Sequence, residues 1–406
     1  MSTGPEYDIV IIGAGPAGLS CASALSRLGV RKVLILDREL FSKIKPCGGG
    51  LTVRACKILR VVFPTFQDLV RAKVRRVFII RKKNVYILED SKRDYIMLTV
   101  KREEFDKEFL NYVIENTQYD IVKDSVIALK HYNGMVRIRC RDREVTARFV
   151  IGADGVYSIV ARSLGNNVPL QKLPFAARVY CDKWNFDDVA VLDFSNVMTV
   201  GYYWIFPLGS GYANVGYGEF SLKSKKTEIV EKLKGYINYV GLRIRSDIRG
   251  HALPANIHKN LISEDGRVIL VGDAAGLIDY TIGEGISFAC LSGVIACLSI
   301  VKGGFNNVNV FELYRKLIGY IVSDLKICRN LAVVVPYFVD NVVDIVLNRA
   351  FTSGARGLGI LDGRYTYRDA IKKMLNIRLV IRELRNVKLL KARELEKLID
   401  QLNVCK

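Results

Sequence analysis

The stretch that decides the fold is "YDIVIIGAGPAGLSCASALSRLG", residues 7–29. A short apolar strand leads into Gly13, Gly15 and Gly18 in GxGxxG spacing, and a helix of small residues follows. Glycines at this spacing allow a tight turn, close approach of a pyrophosphate and packing of the helix on the strand. The next strand, "KVLILD", ends on Asp37, which can accept a hydrogen bond from a ribose hydroxyl. This order predicts a dinucleotide site; the alternative is a glycine-rich turn without a ligand.

Composition bounds the classes of protein to consider. The chain has 406 residues, which suits two or three structural units, and its formal net charge of +20 points to an anionic partner. Nine cysteines are scattered without a CxxC pair, which disfavours zinc-ribbon and thioredoxin-type sites and suits a reducing cytosol. A Cys290–Cys297 bridge stays open, although about two helical turns separate the pair. The N-terminus lacks signal-peptide character, and residues 285–301 predict a buried core helix rather than a membrane span.

The order of predicted strands and helices indicates a discontinuous domain. Short strands interrupt the first α/β unit, the chain then returns to it, and the last part is helical. The predicted fold class is α/β (α+β), with a Rossmann-type nucleotide-binding domain, an antiparallel β domain for substrate and a helical C-terminal region. The predicted bounds are 1–70, 100–165 and 255–310 for the first domain, 71–99 and 166–254 for the second, and 311–406 for the third.

Five separate motifs resemble those of a known family. The GxGxxG unit, "VIGADGVYSIVARSLG" (150–165) and "VILVGDAAG" (268–276) together resemble the FAD enzymes built like para-hydroxybenzoate hydroxylase. Adding "KPCGGGL", "GYYWIFPLGSGYANVGYG" and "GDAAGLIDYTIGEGI" narrows the resemblance to the geranylgeranyl reductases, which saturate isoprenoid double bonds with reduced FAD. The family often has proline where this chain has Tyr280, and no diagnostic motif lies beyond residue 310. The substrate subfamily therefore stays open.

The resemblance implies FAD as cofactor. Asp273 would contact the ribityl chain, and Arg102 would approach the phosphate and ribose region; the other interpretation of Arg102 is a solvated charge at a helix end. Gly283 and Gly285 would let a ring system lie against the start of a helix whose dipole favours a reduced flavin's negative charge, although simple packing could also require them. The predicted cofactor residues are Gly13, Gly15, Ala17, Gly18, Asp37, Gly48, Gly49, Arg102, Asp273, Gly283, Gly285 and Ile286.

Cys47, in "KIKPCGGGLT" (43–52), is the predicted catalytic residue. We expect the thiol beside the flavin ring, with the glycines allowing close approach. We expect the thiol first to position or gate the substrate and only second to donate a proton, because a thiol with a pKa of about 8.5 is a weak acid. The alternative is an inert buried cysteine. Tyr202, Trp204 and Phe206 alternate along one predicted strand face, with Phe206–Pro207 at its end. They would wall an elongated apolar ligand or, alternatively, form a sheet core.

The sequence also predicts partners. The substrate would be a prenyl lipid, and NAD(P)H, ferredoxin or another small carrier would supply electrons. Residues 364–393 indicate a basic amphipathic helix at an anionic membrane, or a solvated helix packed on its own domain. Nucleic acid is disfavoured, since no recognition motif accompanies the charge, and no metal site is predicted. We therefore expect a cytoplasmic, peripheral enzyme that reduces geranylgeranyl-type chains on membrane-lipid precursors. The alternatives are an FAD-dependent aromatic hydroxylase and a non-catalytic prenyl-lipid-binding flavoprotein.

Overall fold

The computed structural model describes residues 5–42, 45–90, 92–169, 173–195, 201–222, 225–334 and 366. The helices are α1 (Pro16–Arg27), α2 (Val53–Val62), α3 (Arg102–Asn116), α4 (Ile159–Ser163), α5 (Lys226–Tyr239), α6 (Ile286–Lys302) and α7 (Asn307–Val334). The strands are β1 (Tyr7–Ile12), β2 (Val33–Asp37), β3 (Gly50–Thr52), β4 (Val70–Val74), β5 (Arg76–Arg81), β6 (Asn84–Glu89), β7 (Met97–Val100), β8 (Asp120–Lys123), β9 (Val126–Tyr132), β10 (Met135–Cys140), β11 (Glu144–Gly152), β12 (Phe175–Asp182), β13 (Val189–Asp193), β14 (Gly201–Gly209), β15 (Tyr212–Glu219), β16 (Arg243–Ile244), β17 (Arg249–Ala252) and β18 (Val268–Leu270).

The first sheet carries the nucleotide-binding pattern. Strands β8, β2, β1, β11 and β18 run parallel in that order, and β10 and β9 extend β11 as an antiparallel arm. The central strands are continuous apolar runs with both faces buried, as expected when helices cover a parallel sheet. The turn between β1 and α1 holds the GxGxxG glycines. The predicted α/β class with a Rossmann-type unit is confirmed.

Helices α1 and α6 pack closely because small residues line their contact. A Cβ added at Gly293 would collide with the carbonyl of Ala17. The structure pairs Cys21 of α1 with Cys297 of α6, with their Cα atoms 6.0 Å apart. Cys290 is a free thiol, so the Cys290–Cys297 bridge that the sequence left open is not formed. Residues 285–301 are largely buried as α6, and none of the described helices is long and apolar enough to cross a membrane.

The second sheet has the order β16–β12–β15–β14–β13–β5–β6, with β17 also on β12, and is antiparallel except at β13–β5. Helix α5 covers one face, where Tyr203 stacks between Tyr217 and Tyr236 at ring distances of 4.2 and 4.3 Å. The opposite face carries Tyr202, Trp204 and Phe206, as the alternation predicted. The predicted strand end at Phe206–Pro207 is wrong, since β14 continues to Gly209 across a register shift that accommodates the proline.

A third, small sheet positions the cysteine loop. Strand β3 follows that loop directly and pairs antiparallel with β7, which also pairs with β4. Beyond it, α7 spans Asn307–Val334. The basic stretch 364–393 lies outside the described residues, apart from Thr366.

Candidate active site

Asp37 stabilises the nucleotide-binding turn from within. One carboxylate oxygen accepts the N–H of Ala14 at 2.7 Å, and the other accepts the N–H groups of Glu39 and Leu40. Gly13 has a φ of +108°, and a Cβ there would collide with the carbonyl of Ala153. These bonds fix the carboxylate at the turn, and its contact with a ribose hydroxyl stays a prediction.

The N-terminus of α1 is built to accept an anion. Gly15 is the N-cap, Pro16 occupies the first helical position, and no side chain of the described residues caps this end. The N–H groups of Ala17 and Gly18 therefore belong to an uncapped first turn, where the helix dipole adds positive potential. This arrangement fits a pyrophosphate.

Asp273 lies where two helix starts converge. Gly272, beside it, approaches Ala17 of α1 and Ala289 of α6 so closely that an added Cβ would stand 3.0 Å from the Cβ of Ala17. Lys45 donates to the Asp273 carboxylate at 2.5 Å. Burial alone would raise the pKa of Asp273, but Lys45, together with His251 and Arg102, outweighs burial and the pKa is lowered. The carboxylate stays ionised and can accept hydroxyl groups of a ligand.

The start of α6 forms a bare backbone edge. Gly285 is its N-cap without a side-chain cap, and Ile286 is its first residue. The hydroxyl of Tyr202 donates to the carbonyl of Ile282, and a Cβ at Gly283 would stand 3.1 Å from that hydroxyl. Gly283 thus lets the aromatic strand approach this edge. Burial raises the pKa of Tyr202 far above its ordinary value, so its hydroxyl stays protonated.

Cys47 is tied to the aromatic strand. Its carbonyl accepts the side-chain N–H of Asn214 at 2.8 Å, and the amide oxygen of Asn214 accepts the indole N–H of Trp204 at 3.1 Å. A Cβ at Gly48 would stand 2.9 Å from the ring of Phe206 and 3.1 Å from the indole nitrogen of Trp204. The cysteine loop therefore lies directly on the aromatic wall, with the thiol partly exposed.

The glycines after Cys47 have reasons within the protein itself. Gly49 has a φ of +75°, and a Cβ there would collide with the carbonyl of Val100. At Gly50 a Cβ would stand 3.0 Å from the sulfur of Met97. These contacts account for the three glycines by packing, so the closeness of a flavin ring to them stays a prediction.

Arg102 lies against both an acid and the cysteine. It is 3% exposed and forms a bidentate ion pair with Asp106, in which Nε and Nη2 donate to the two carboxylate oxygens at 3.0 and 2.8 Å. Burial by itself lowers the pKa of Arg102, but Asp106 and then Cys47 raise it. The interpretation of Arg102 as a solvated helix-end charge is therefore wrong. Its place at the start of α3, beside Cys47, is compatible with a phosphate contact.

A buried polar network joins the cysteine loop to the start of α6, and sequence reasoning missed it. Glu284 accepts from the hydroxyl of Thr52 at 2.9 Å and forms an ion pair with Arg54. Arg54 also donates to Ser287 at 3.0 Å and lies over the ring of Phe288. Thr52 in turn caps α2. The one sequence signal was Glu284 itself, an acid between Gly283 and Gly285.

The chain is similar to a family of known proteins. The family model described as lycopene cyclase protein matches residues 8–289. Geranylgeranyl diphosphate reductase of Oryza sativa subsp. japonica is 31% identical over 338 residues, which cover 77% of this chain and 70% of that protein. The chain belongs to the lycopene cyclase and geranylgeranyl reductase family. Its members are FAD-dependent oxidoreductases, so FAD is the cofactor of this geranylgeranyl reductase-like enzyme.

A second relative and a solved structure with the same fold are also similar to this chain. Digeranylgeranylglycerophospholipid reductase of Thermoplasma acidophilum is 28% identical over 377 residues, covering 86% of this chain and 93% of the relative. The solved structure of a geranylgeranyl bacteriochlorophyll reductase-like protein from the same organism superposes with a TM-score of 0.72 at 23% identity, covering 91% of this chain and 98% of that chain. The uncapped α1, ionised Asp273 and bare edge at Gly283 fit the pyrophosphate, the hydroxyl groups and the ring system of FAD respectively.

Proposed function

We propose that this enzyme saturates carbon–carbon double bonds in geranylgeranyl-type isoprenoid chains, on precursors of membrane lipids. The observation that carries the proposal is the aromatic wall of Tyr202, Trp204 and Phe206. It reaches the Ile282–Gly285 edge at one end and the Cys47 loop at the other. An elongated apolar chain on that wall would pass between the two loops that we propose flank the flavin.

The protein must supply a dry surface and a proton. Reduced FAD supplies the hydride. An unactivated double bond has no carbonyl to stabilise an anion, so the proton has to come from a positioned acid in a site that excludes water. Tyr202 is a poor acid because its pKa is raised and its hydroxyl is already donating. We propose that Cys47 orients the chain and, second, donates or relays the proton.

We propose that FAD is held by the residues that the sequence indicated, within the segments 1–70, 100–165 and 255–310. The electron donor would be NAD(P)H, ferredoxin or a similar small carrier. Mass spectrometry of the product tests the function against its rivals. Turnover in deuterated water should give saturated lipid with at least one solvent-derived deuterium atom for each bond reduced. A hydroxylated product, or unchanged lipid, would overturn the proposal.

Replacing Trp204 by alanine should weaken lipid use more than FAD binding. The indole is 7% exposed and forms the middle of the wall. Losing it should raise KM for a prenyl lipid roughly tenfold, since burial of a large apolar side chain contributes about 1.5–3 kcal/mol. Steady-state kinetics and flavin content check this. Trp184→Ala is the control, because Trp184 is equally buried but packs among residues of the opposite sheet face. Equal loss of FAD and lipid use would show a core role instead.

Replacing Cys47 by serine or alanine should leave FAD bound and change either the rate of reduction or the choice of bond. The thiol is partly exposed beside Arg102 and the aromatic wall. Product analysis with a lipid that has several double bonds checks this. Cys56→Ala is the matched control, because burial raises the pKa of that thiol to about 12 and makes it inert. If both Cys47 variants reduce the same bonds at wild-type rates, the thiol has no catalytic role.

We also propose peripheral contact with an anionic membrane, based on the net charge of +20 and the basic stretch 364–393. Sedimentation with anionic vesicles should fall as salt rises, because exposed charges are screened. Binding that ignores salt, or no binding, would remove this part of the proposal.

A further inference from the structure

A groove opens beside the first turn of α3, on the edge of the second sheet. Its volume is about 680 Å³, and none of the residues predicted from the sequence as site residues lines it. The lining is mainly charged and polar, and consists of Glu103, Arg178, Tyr180, Ile244, Arg245, Ser246, Asp247 and Arg249.

The register of the strands puts this groove on the same sheet face as the aromatic wall. Trp204 pairs with Gly216, Gly216 with Arg178, and Arg178 with Arg249. Residues paired across neighbouring strands point to the same face, and strands lie about 4.8 Å apart, so Arg178 is about 10 Å from Trp204. A Cβ at Gly216 would collide with the indole of Trp204, which shows that the ring leans over β15. One continuous face is thus aromatic at one end and cationic at the other.

A second set of residues paired across neighbouring strands connects the groove to the cysteine loop. Phe206 pairs with Asn214, and Asn214 pairs with Tyr180 of the groove. Asn214 is also the residue that binds the carbonyl of Cys47. A ligand that bridges the groove and the wall would therefore pass next to Cys47.

Arg178 forms the buried floor of the groove. It is 2% exposed, forms an ion pair with Glu103, and lies 4.1 Å from the ring centre of Tyr180. The hydroxyl of Tyr180 donates to the other oxygen of Glu103 at 2.6 Å, so each oxygen of that carboxylate has a partner. The Nε–H of Arg178 is buried and has no hydrogen-bond partner among the described residues. A buried donor without an acceptor in the protein is open to an acceptor from water or from a ligand.

Two further arginines stand at the mouth. The side chains of Arg245 and Arg249 are 43% and 44% exposed. Arg245 donates to Asp182, whereas Arg249 is only 3.8 Å from Asp247, an acid that is itself 87% exposed. Arg249 is therefore loosely paired and can turn towards an anion, whereas Arg245 keeps its bond to Asp182 and can offer its remaining N–H groups. The planar fork of a guanidinium group matches the oxygens of a phosphate.

We propose that this groove binds the phosphate of an anionic prenyl substrate while the prenyl chain lies along the aromatic wall past Cys47. The assignment to a substrate rests on the proposed function; the prediction of a phosphate-binding groove does not. A phosphate could also come from a nicotinamide dinucleotide, so the two sources are tested separately.

The test measures binding directly, by calorimetry on the FAD-loaded protein. The ligands are geranylgeranyl diphosphate, geranylgeraniol in the same detergent, and NADPH. In the Arg245→Gln/Arg249→Gln double variant, affinity for the diphosphate should fall roughly tenfold, since charge-assisted hydrogen bonds are lost, and should become less sensitive to salt. Affinity for geranylgeraniol should not change. Arg243→Gln is the control, because Arg243 shares Asp182 with Arg245 but does not line the groove.

Each outcome decides the proposal. If the double variant loses affinity only for NADPH, the assignment to the substrate is overturned. The groove would then bind the phosphate of the electron donor instead. If the double variant and the control bind all three ligands with equal affinity, the groove is not a phosphate-binding site and the proposal is overturned. Tight, arginine-dependent binding of the diphosphate without reduction of its double bonds would leave the groove standing while the proposed function failed. Arg178→Lys, which retains the charge but lacks Nε–H, should weaken diphosphate binding with flavin content unchanged.

Discussion

The Gly15→Val protein is expected to fold and to purify without FAD. Gly15 is the N-cap of α1, with φ −90° and ψ −178°, an extended conformation that valine adopts readily. The substitution should therefore cost the fold little, about 1 kcal/mol for a poorer cap. A branched side chain would instead stand where a pyrophosphate approaches the uncapped helix end. The visible absorbance of the purified protein and its flavin-to-protein ratio measure the effect.

The same substitution elsewhere controls for the loss of a glycine. A Cβ at Gly235, within α5, meets nothing within 4 Å. Gly235→Val should therefore retain FAD at the wild-type ratio. If folded Gly15→Val protein retains full flavin too, the pyrophosphate does not lie at α1 and the proposed cofactor residues are wrong.

Glu284→Ala should destabilise the protein strongly. Glu284 is buried, and its loss removes an ion-pair partner of the Arg54 guanidinium, which is only 16% exposed. Removing one member of a buried ion pair costs about 3–5 kcal/mol. The cysteine loop and the start of α6 would lose their link at the same time. Thermal denaturation of wild-type and variant apoprotein should show a midpoint lowered by several degrees.

An exposed pair of the same residue types provides the control. Arg71 and Glu104 are 42% and 38% exposed, so Glu104→Ala should cost at most about 1 kcal/mol. Replacing both buried partners, Arg54→Met with Glu284→Leu, should recover part of the loss because neither charge is then buried alone. A Glu284→Ala midpoint equal to that of Glu104→Ala would show that the network contributes nothing.

Local patterns in the sequence were sufficient to predict the nucleotide-binding unit and the aromatic face of β14. The GxGxxG turn combines strand, turn and helix within 7–29, so its structure follows from neighbours in the chain. Alternation along β14 likewise put Tyr202 and Trp204 on one face without knowledge of the rest. Proline at 207 indicated a strand end, yet the register shift between Pro207 and Gly209 absorbs it and pairing continues.

Contacts between distant segments could not be predicted in this way. Arg54 and Glu284 are 230 positions apart, and Asn214 and Cys47 are 167 apart. Each residue alone looks like an ordinary polar side chain, and its role arises only after the sheets bring the segments together. Helix α5 was missed for a related reason: its apolar residues lie within a region dominated by strands, and tertiary packing on the sheet decides the helix. The position of Arg178 on the same sheet face as Trp204 likewise follows only from the pairing of both residues with Gly216 of β15.

Anaerobic reoxidation of the reduced enzyme by a prenyl lipid tests the central claim most directly. The FAD-loaded protein is reduced chemically without oxygen, mixed with a geranylgeranyl lipid, and followed by the visible absorbance of oxidised flavin. The account predicts reoxidation at a rate that rises with lipid concentration, together with one saturated double bond for each flavin reoxidised. Flavin that stays reduced with every geranylgeranyl lipid tested, and is reoxidised only when oxygen is admitted, would contradict it.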